Sequence, residues 1–164
     1  KPAYIKVKIN HVTDPVIVKK LYEASANGVE IDMVVRGNCS LITGVRGVSD
    51  TIRINGIIDR YLEHSRIFIF AAGGEEEVFI GSADWMPRNL DNRIEVITPI
   101  YDADLKADLR QVVEFGLKDT LQGRWVDGSG KNLPWDGNDG LPFRSQEALY
   151  NYYKDSIGEN NEKG

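Results

Sequence analysis

The sequence predicts an α/β domain with helices flanking a mixed β-sheet, and three observations carry that prediction. A strand–helix–strand pattern fills the first 35 residues, a strand–turn–strand pattern surrounds Gly73-Gly74, and an amphipathic segment runs from Asp102 to Lys118. The first pattern has the length of a βαβ unit, whose strands are parallel, and the second is a hairpin, whose strands are antiparallel. With 164 residues, 41% apolar and 27% charged, the chain is globular in composition and long enough to bury its own core.

Each element has a local cause. Tyr4 to Asn10 alternates apolar and polar residues, as a half-buried strand does. Asp14 followed by Pro15 starts a helix with a capping carboxylate and a proline in the first helical position. Val18, Leu21 and Tyr22 continue its apolar stripe, and Asn27-Gly28 ends it. Ile31 to Val35 reads as a buried strand that stops at Arg36-Gly37. Ligands of open α/β sheets gather at the carboxyl ends of strands, so Arg36 is a site candidate on position alone. A loop with Gly37, Gly44 and Gly47 follows. Ile54, Ile57, Ile58, Tyr61 and Leu62 then recur at helical spacing, which predicts a helix to about Glu63. Ile67 to Phe70 and Val78 to Ile80 form the hairpin, with Glu75-Glu76-Glu77 as its solvated tip. Arg93 to Thr98 predicts another strand. Leu105, Leu109, Val112, Val113 and Leu117 line one face of the helix that follows. A glycine-rich stretch from Gly123 to Gly140 surrounds Trp125 and Trp135, and the chain ends with a short helix near Gln146 to Lys154 and a frayed polar tail. We expect one domain over 1–120 and a C-terminal extension over 121–164.

Composition narrows the function. No apolar run approaches the roughly 20 residues that cross a bilayer, and no secretory signal pattern is present. Cys39 is the only cysteine, which rules out an internal disulfide and a cysteine-rich metal site and suits a reducing, cytoplasmic compartment. The chain opens at Lys1 without a methionine and reads as a fragment or processed form. Its net charge of −5 argues against a general nucleic-acid binder. Arg36, Arg46, Arg53, Arg60 and Arg66 nevertheless form an arginine-rich stretch between positions 36 and 66. Guanidinium groups suit bidentate grip on phosphate oxygens, while the plainer account pairs them with Asp50, Asp59 and Glu63 on the surface.

The two histidines differ. His11 lies beside Thr13 and Asp14, where a surface or capping role is the default. His64 precedes Ser65 and Arg66; an imidazole moves protons near neutral pH or attacks phosphorus, and an arginine two residues on can hold a phosphate oxygen. A lone His-x-Arg is more often structural than catalytic. The segment Gly81-Ser82-Ala83-Asp84 after a strand suits an anion pocket, or else a turn in which Ser82 and Asp84 satisfy backbone donors.

Taken together, His64-x-Arg66 and Gly81-Ser82 resemble the phospholipase D signature, whose superfamily transfers phosphoryl groups through a histidine from one half of a pseudo-twofold site. Arg66 stands for the usual lysine, Asp84 for the usual asparagine, and the signature aspartate after the lysine is missing. A longer series resembles one family more closely: Lys8-Ile9-Asn10, Leu21-Tyr22-Glu23-Ala24-Ser25, Val29 to Gly37, Gly47 to Arg53, Tyr61 to Arg66 and Gly81 to Met86. In that order they resemble the second phospholipase-D-like C-terminal catalytic domain of bacterial polyphosphate kinase of the first type, over residues 4–115.

The resemblance implies a phospholipase-D-like half-domain of an enzyme that reversibly moves the terminal phosphate of ATP onto inorganic polyphosphate. The phosphohistidine and the Mg2+ ligands are then expected outside this chain, which supplies half of the active site and no metal ligand. His64 matches the family's second essential histidine, a catalytic group that also contacts the nucleotide, and Arg36 matches an arginine that binds ATP phosphates. Arg66 and Ser82 are expected as second-line contacts. Implied partners are ATP or ADP, polyphosphate, the remaining domains of the parent enzyme and further copies of it, with no nucleic acid. A cytoplasmic location is implied, with peripheral membrane association as an open addition. Alone, the chain is expected to fold without turning over. Two other readings stand beside this one: a phospholipase-D-like phosphodiesterase or nuclease half-site acting as a dimer, and a non-catalytic assembly module using Trp125, Trp135, Tyr150, Tyr152 and Tyr153.

Overall fold

Alternation along the first strand sets the architecture. β1 (Tyr4–Ile9) places Ile5, Val7 and Ile9 in one apolar cluster and turns Tyr4, Lys6 and Lys8 to the opposite face. The computed structural model describes residues 3–137 and 141–161, with side chains to Ser156. α1 (Pro15–Ala26) begins as expected: the Asp14 carboxylate accepts from the backbone N–H groups of Val16 and Ile17 at 3.0 and 2.9 Å. It ends at Asn27, and Gly28 takes the left-handed conformation with φ +82°. β2 (Glu30–Val35) then pairs in parallel with β1.

Residues 54–63 do not form the expected helix. β3 (Ile52–Ile57) is a strand, parallel to β2 from Ile31↔Ile52 to Val35↔Gly56. Ile52, Ile54, Asn55 and Ile57 are all buried, because the strand is covered on both faces. Two-sided burial removes the alternation that would mark a strand. Ile58, Tyr61 and Leu62, which completed the helical spacing, are exposed in the loop beyond. His64 therefore stands in a loop between strands.

β4 (Ile67–Ala72) and β5 (Glu75–Gly81) form the expected hairpin around Gly73 and Gly74, both at positive φ. Its acidic run is not simply a solvated tip. Glu75 and Glu77 are exposed, whereas Glu76 accepts from the Tyr4 hydroxyl and from Arg110. α2 (Pro87–Asn92) follows, and β6 (Ile97–Ile100) begins four residues later than the strand expected at Arg93. The intervening Glu95 carboxylate is held by Ser82 and Asn89, which makes this stretch a connector. α3 (Ala103–Lys118) is capped by Asp102 and packs Leu109, Val112, Val113 and Leu117 against the sheet, while Leu105 is exposed. β7 (Gly123–Trp125), not expected from the sequence, pairs antiparallel with β3. α4 (Ser145–Asn161) is longer than the expected short helix, and the last three residues of the predicted frayed tail lie outside the described residues.

The seven strands run in the order β6-β5-β4-β1-β2-β3-β7. Val7, Ile31, Met33 and Ile54 form a core on the face that α1 covers; Val34, Ile67, Ile69 and Val113 form one under α3. Because β1, β2 and β3 are parallel and β4 is antiparallel to β1, one edge of the sheet collects the ends of β1 to β3 and the start of β4. Arg36 and His64 both fall on that edge.

Candidate functional site

The parallel register continues one step past both central strands. The Arg36 N–H donates to the Ile9 carbonyl at 3.3 Å and the Gly37 N–H to the Asn10 carbonyl at 2.8 Å, so Asn10 and Arg36 are cross-strand neighbours. Arg36 Nε donates to Asn10 Oδ1 at 2.9 Å, and Arg36 Nη2 lies 3.3 Å from His64 Nδ1. A guanidinium only donates, so this contact assigns Nδ1 as the acceptor and puts the ring proton of a neutral His64 on Nε2. The structure thus brings together the two residues that the sequence marked 28 positions apart. Beside them is a cleft of about 170 Å³ whose wall includes Lys8, Asn10, Arg36, Glu63 and Ser65.

Arg66 and Ser82 are occupied by the protein itself. Arg66 donates from Nη2 to Asp84 Oδ2 at 2.8 Å, from Nε to Oδ1 at 3.3 Å, and from Nη1 to the His64 carbonyl at 3.0 Å. Asp84 Oδ1 also accepts from the N–H groups of Asn10 (3.0 Å) and His11 (3.2 Å). Burial pushes the Asp84 carboxyl upward, but Arg66 and those backbone donors outweigh it and hold it below the usual carboxylate range. One ion pair therefore ties the end of β1, the chain after β5 and the backbone of His64 together. The Ser82 hydroxyl donates to Glu95 and accepts from the Val96 N–H at 3.0 Å.

A second set of contacts fixes the loop that carries His64. Lys8 Nζ lies 2.9 Å from Glu63 Oε1, with the lysine side chain 6% exposed. Gln146 grips the Tyr61 backbone from both sides of its amide, accepting from the N–H at 2.9 Å and donating to the carbonyl at 2.8 Å. Arg144 donates to both carboxylate oxygens of Asp59, at 2.6 and 3.0 Å, which holds the Asp59 carboxyl below its ordinary range. Asp119 in turn accepts from the Ser145 N–H and hydroxyl at 2.8 and 2.6 Å. The sequence suggests Asp59 and Glu63 as surface partners of the arginines between 36 and 66; they pair instead with Arg144 and Lys8, and nothing in the sequence singles out Arg144, Gln146 or Asp119. The signal available was the polar parity of Lys6, Lys8 and Asn10 within an apolar strand.

The remaining candidates lie elsewhere. His11 Nδ1 accepts from the Asn38 N–H at 3.0 Å, so it joins the loops that follow β1 and β2 and caps no helix. Arg53 reaches Asp32 at 4.0 Å and the Trp135 ring at 5.0 Å, and Arg60 lies over Tyr61. Of the five arginines between 36 and 66, Arg36 alone lines the cleft. Among the described residues no group of three or more His, Cys, Asp or Glu side chains is placed to hold a metal ion.

The family described as polyphosphate kinase C-terminal domain 2 matches residues 1–146. The chain is 42% identical over 153 residues to the polyphosphate kinase of Escherichia coli K12, covering 93% of this chain and 22% of that relative. The crystal structure of polyphosphate kinase from Porphyromonas gingivalis superposes with a TM-score of 0.89 at 43% identity, over 95% of this chain and 24% of that one. A phospholipase D family member, Nuc from Salmonella typhimurium, shares the fold at a TM-score of 0.54 and 17% identity, over 75% of this chain and 81% of that one. The chain thus spans about a fifth of the length of the kinase relative.

Proposed function

Because the chain belongs to the polyphosphate kinase C-terminal domain 2 family, we propose that it supplies one half of the active site of a kinase that reversibly moves the terminal phosphate of ATP onto inorganic polyphosphate. The observation that carries this is the Arg36–His64 pair, 3.3 Å apart at the strand ends and beside the cleft. Phosphoryl transfer asks a protein chiefly for alignment and for neutralisation of charge on the phosphate oxygens. Asn10 holds Arg36 by Nε, which leaves the two terminal nitrogens of the guanidinium to grip the β- and γ-phosphate oxygens. His64 Nε2–H donates a hydrogen bond to the oxygen leaving phosphorus, stabilising the charge that develops there while keeping its proton, and does the same for the attacking oxygen in the reverse reaction. The histidine that carries the phosphoryl group lies in another part of the kinase.

The family implies Mg2+, and the described residues around the cleft do not fit it. Near the cleft, Glu63 is paired with Lys8, Asp59 with Arg144 and Asp84 with Arg66, and they form no cluster able to hold an ion. Its ligands then belong to the rest of the kinase, as do the contacts between copies. No helix among the described residues is long and apolar enough to cross a membrane. In the full-length kinase, His64→Ala should abolish polyphosphate synthesis and Arg36→Lys should lower kcat/KM by about tenfold or more, since an ammonium cannot reproduce the fork. Near-normal synthesis by His64→Ala would remove the histidine from the chemistry.

A further inference from the structure

On the face of β1 that α3 covers, the polar side chains Tyr4, Lys6 and Lys8 all have partners: Glu76, Glu114 and Glu63 respectively. The next residue in that row, Asn10, is 1% exposed and only half satisfied. Its Oδ1 accepts from Arg36 Nε, which fixes the orientation of the amide, because a nitrogen facing that donor would be repelled. Its Nδ2 has no hydrogen-bond partner. A buried amide that forgoes a hydrogen bond is costly, so each such group calls for a partner; Asn55 Oδ1 and Asn89 Oδ1 share this state, but of the three residues Asn10 alone lines the cleft. Here the lone donor belongs to a cleft-wall residue and is directed, through its own oxygen, by the arginine that faces His64.

We propose that Asn10 is a substrate-binding residue whose Nδ2–H donates to a non-bridging oxygen of the phosphoanhydride chain gripped by Arg36. The inference rests on the kinase reading above and deepens it. Arg36 and Asn10 act as one composite donor. When Arg36 Nη2 turns from His64 to a phosphate oxygen, an oxygen of the same chain enters beneath the guanidinium and completes the Asn10 amide. The backbone N–H of Asn10 is meanwhile anchored on Asp84, so the donor is carried on a fixed strand end instead of a loop. ATP and polyphosphate offer the same oxygen chemistry, and the experiment separates them.

The test is a titration of the 15N-labelled chain with tripolyphosphate, with ATP and, as a control for nonspecific anion binding, with sulfate. The Asn10 side-chain amide, Arg36 Nε and the His64 ring nitrogens are followed by NMR. We expect the Asn10 amide to shift downfield, to exchange more slowly with water and to show a through-hydrogen-bond coupling to 31P, with sulfate giving none of these. The coupling with tripolyphosphate alone assigns the donor to the polymer, with ATP alone to the nucleotide, and with both to a triphosphate common to the two. Asn10→Asp keeps an acceptor for Arg36 Nε but removes the donor, and should weaken binding by about tenfold or more. Movement of Arg36 and His64 with a silent Asn10 amide overturns this inference and leaves the kinase reading standing. Silence of all three groups at millimolar ligand, or equal response to sulfate, overturns both.

Discussion

Replacing Asp84 with alanine tests the ion pair that ties the site together. The carboxylate accepts four hydrogen bonds: two from Arg66, at 2.8 and 3.3 Å, and one each from the backbone N–H groups of Asn10 and His11, at 3.0 and 3.2 Å. The two side chains are 10% and 5% exposed, so water cannot take over the abandoned donors. Removing one member of a buried pair leaves the other charge uncompensated and costs about 3–5 kcal/mol. At about 2–4 °C per kcal/mol for a domain of this size, the melting temperature should fall by about 6–20 °C. Urea unfolding of both proteins at pH 7 measures the difference directly. It should narrow in acid: the folded-state pKa of Asp84 is depressed, so its contribution is complete above the ordinary carboxylate value of about 4 and is lost as pH falls through the lower folded value. Adding Arg66→Met to Asp84→Ala should recover part of the loss, because it removes the stranded charge. A loss below about 1 kcal/mol at pH 7, or one that does not change between pH 7 and pH 3, would refute the assignment of Asp84 as the buried charge that locks Arg66, β1 and His64 together.

Two further outcomes follow from the contacts around the site. Gln146→Ala removes both hydrogen bonds to the Tyr61 backbone and should cost about 1–2 kcal/mol while raising the amide exchange rates of residues 60–65, measured by hydrogen–deuterium exchange; unchanged exchange there would mean the loop is held by other contacts. Gly123→Ala places a methyl group 2.1 Å from the Asp119 carbonyl oxygen and 2.5 Å from Asn55 Oδ1, inside the junction of β3, β7 and the end of α3, and should lower stability by about 1–3 kcal/mol in a thermal melt, where an unaltered midpoint would contradict that packing.

Legibility of the fold followed how local each signal was. Asp14-Pro15 and Asp102 start helices by contacts two or three residues away, and the alternation of β1 reports its own half-burial. β3 reads as a helix in the sequence because a strand buried on both faces carries no alternation, and its isoleucines meet a helical template by chance. β7 is three residues long and exists through its pairing with β3, which nothing within Gly123–Trp125 announces. In the candidate site, the place of Arg36 at a strand end is legible in the sequence. Its contact with His64 is not, since it depends on the course of a loop that reads as helix. Asn10 carries no such signal, because an asparagine at a strand end reads as a turn residue. Its importance lies in which half of its amide finds a partner, and only the packed structure decides that.

The ion pairs around the cleft also reconcile the proposed anion site with an acidic chain. Of the four charged residues on its wall, Lys8 is neutralised by Glu63 and Asp59 by Arg144, while Arg36 pairs with no carboxylate among the described residues. The local field is therefore that of a single guanidinium, even though the chain carries a net charge of −5. At physiological salt, charges more than about 10 Å away are largely screened, so the distant acids weaken the attraction to a polyanion without reversing it. A lone guanidinium with one amide donor beside it supports only modest affinity for a phosphoanhydride chain, and that affinity should fall with added salt. Stronger retention of a long polyphosphate then requires further cations from outside this chain, which is the division of labour expected of one half of a two-part site.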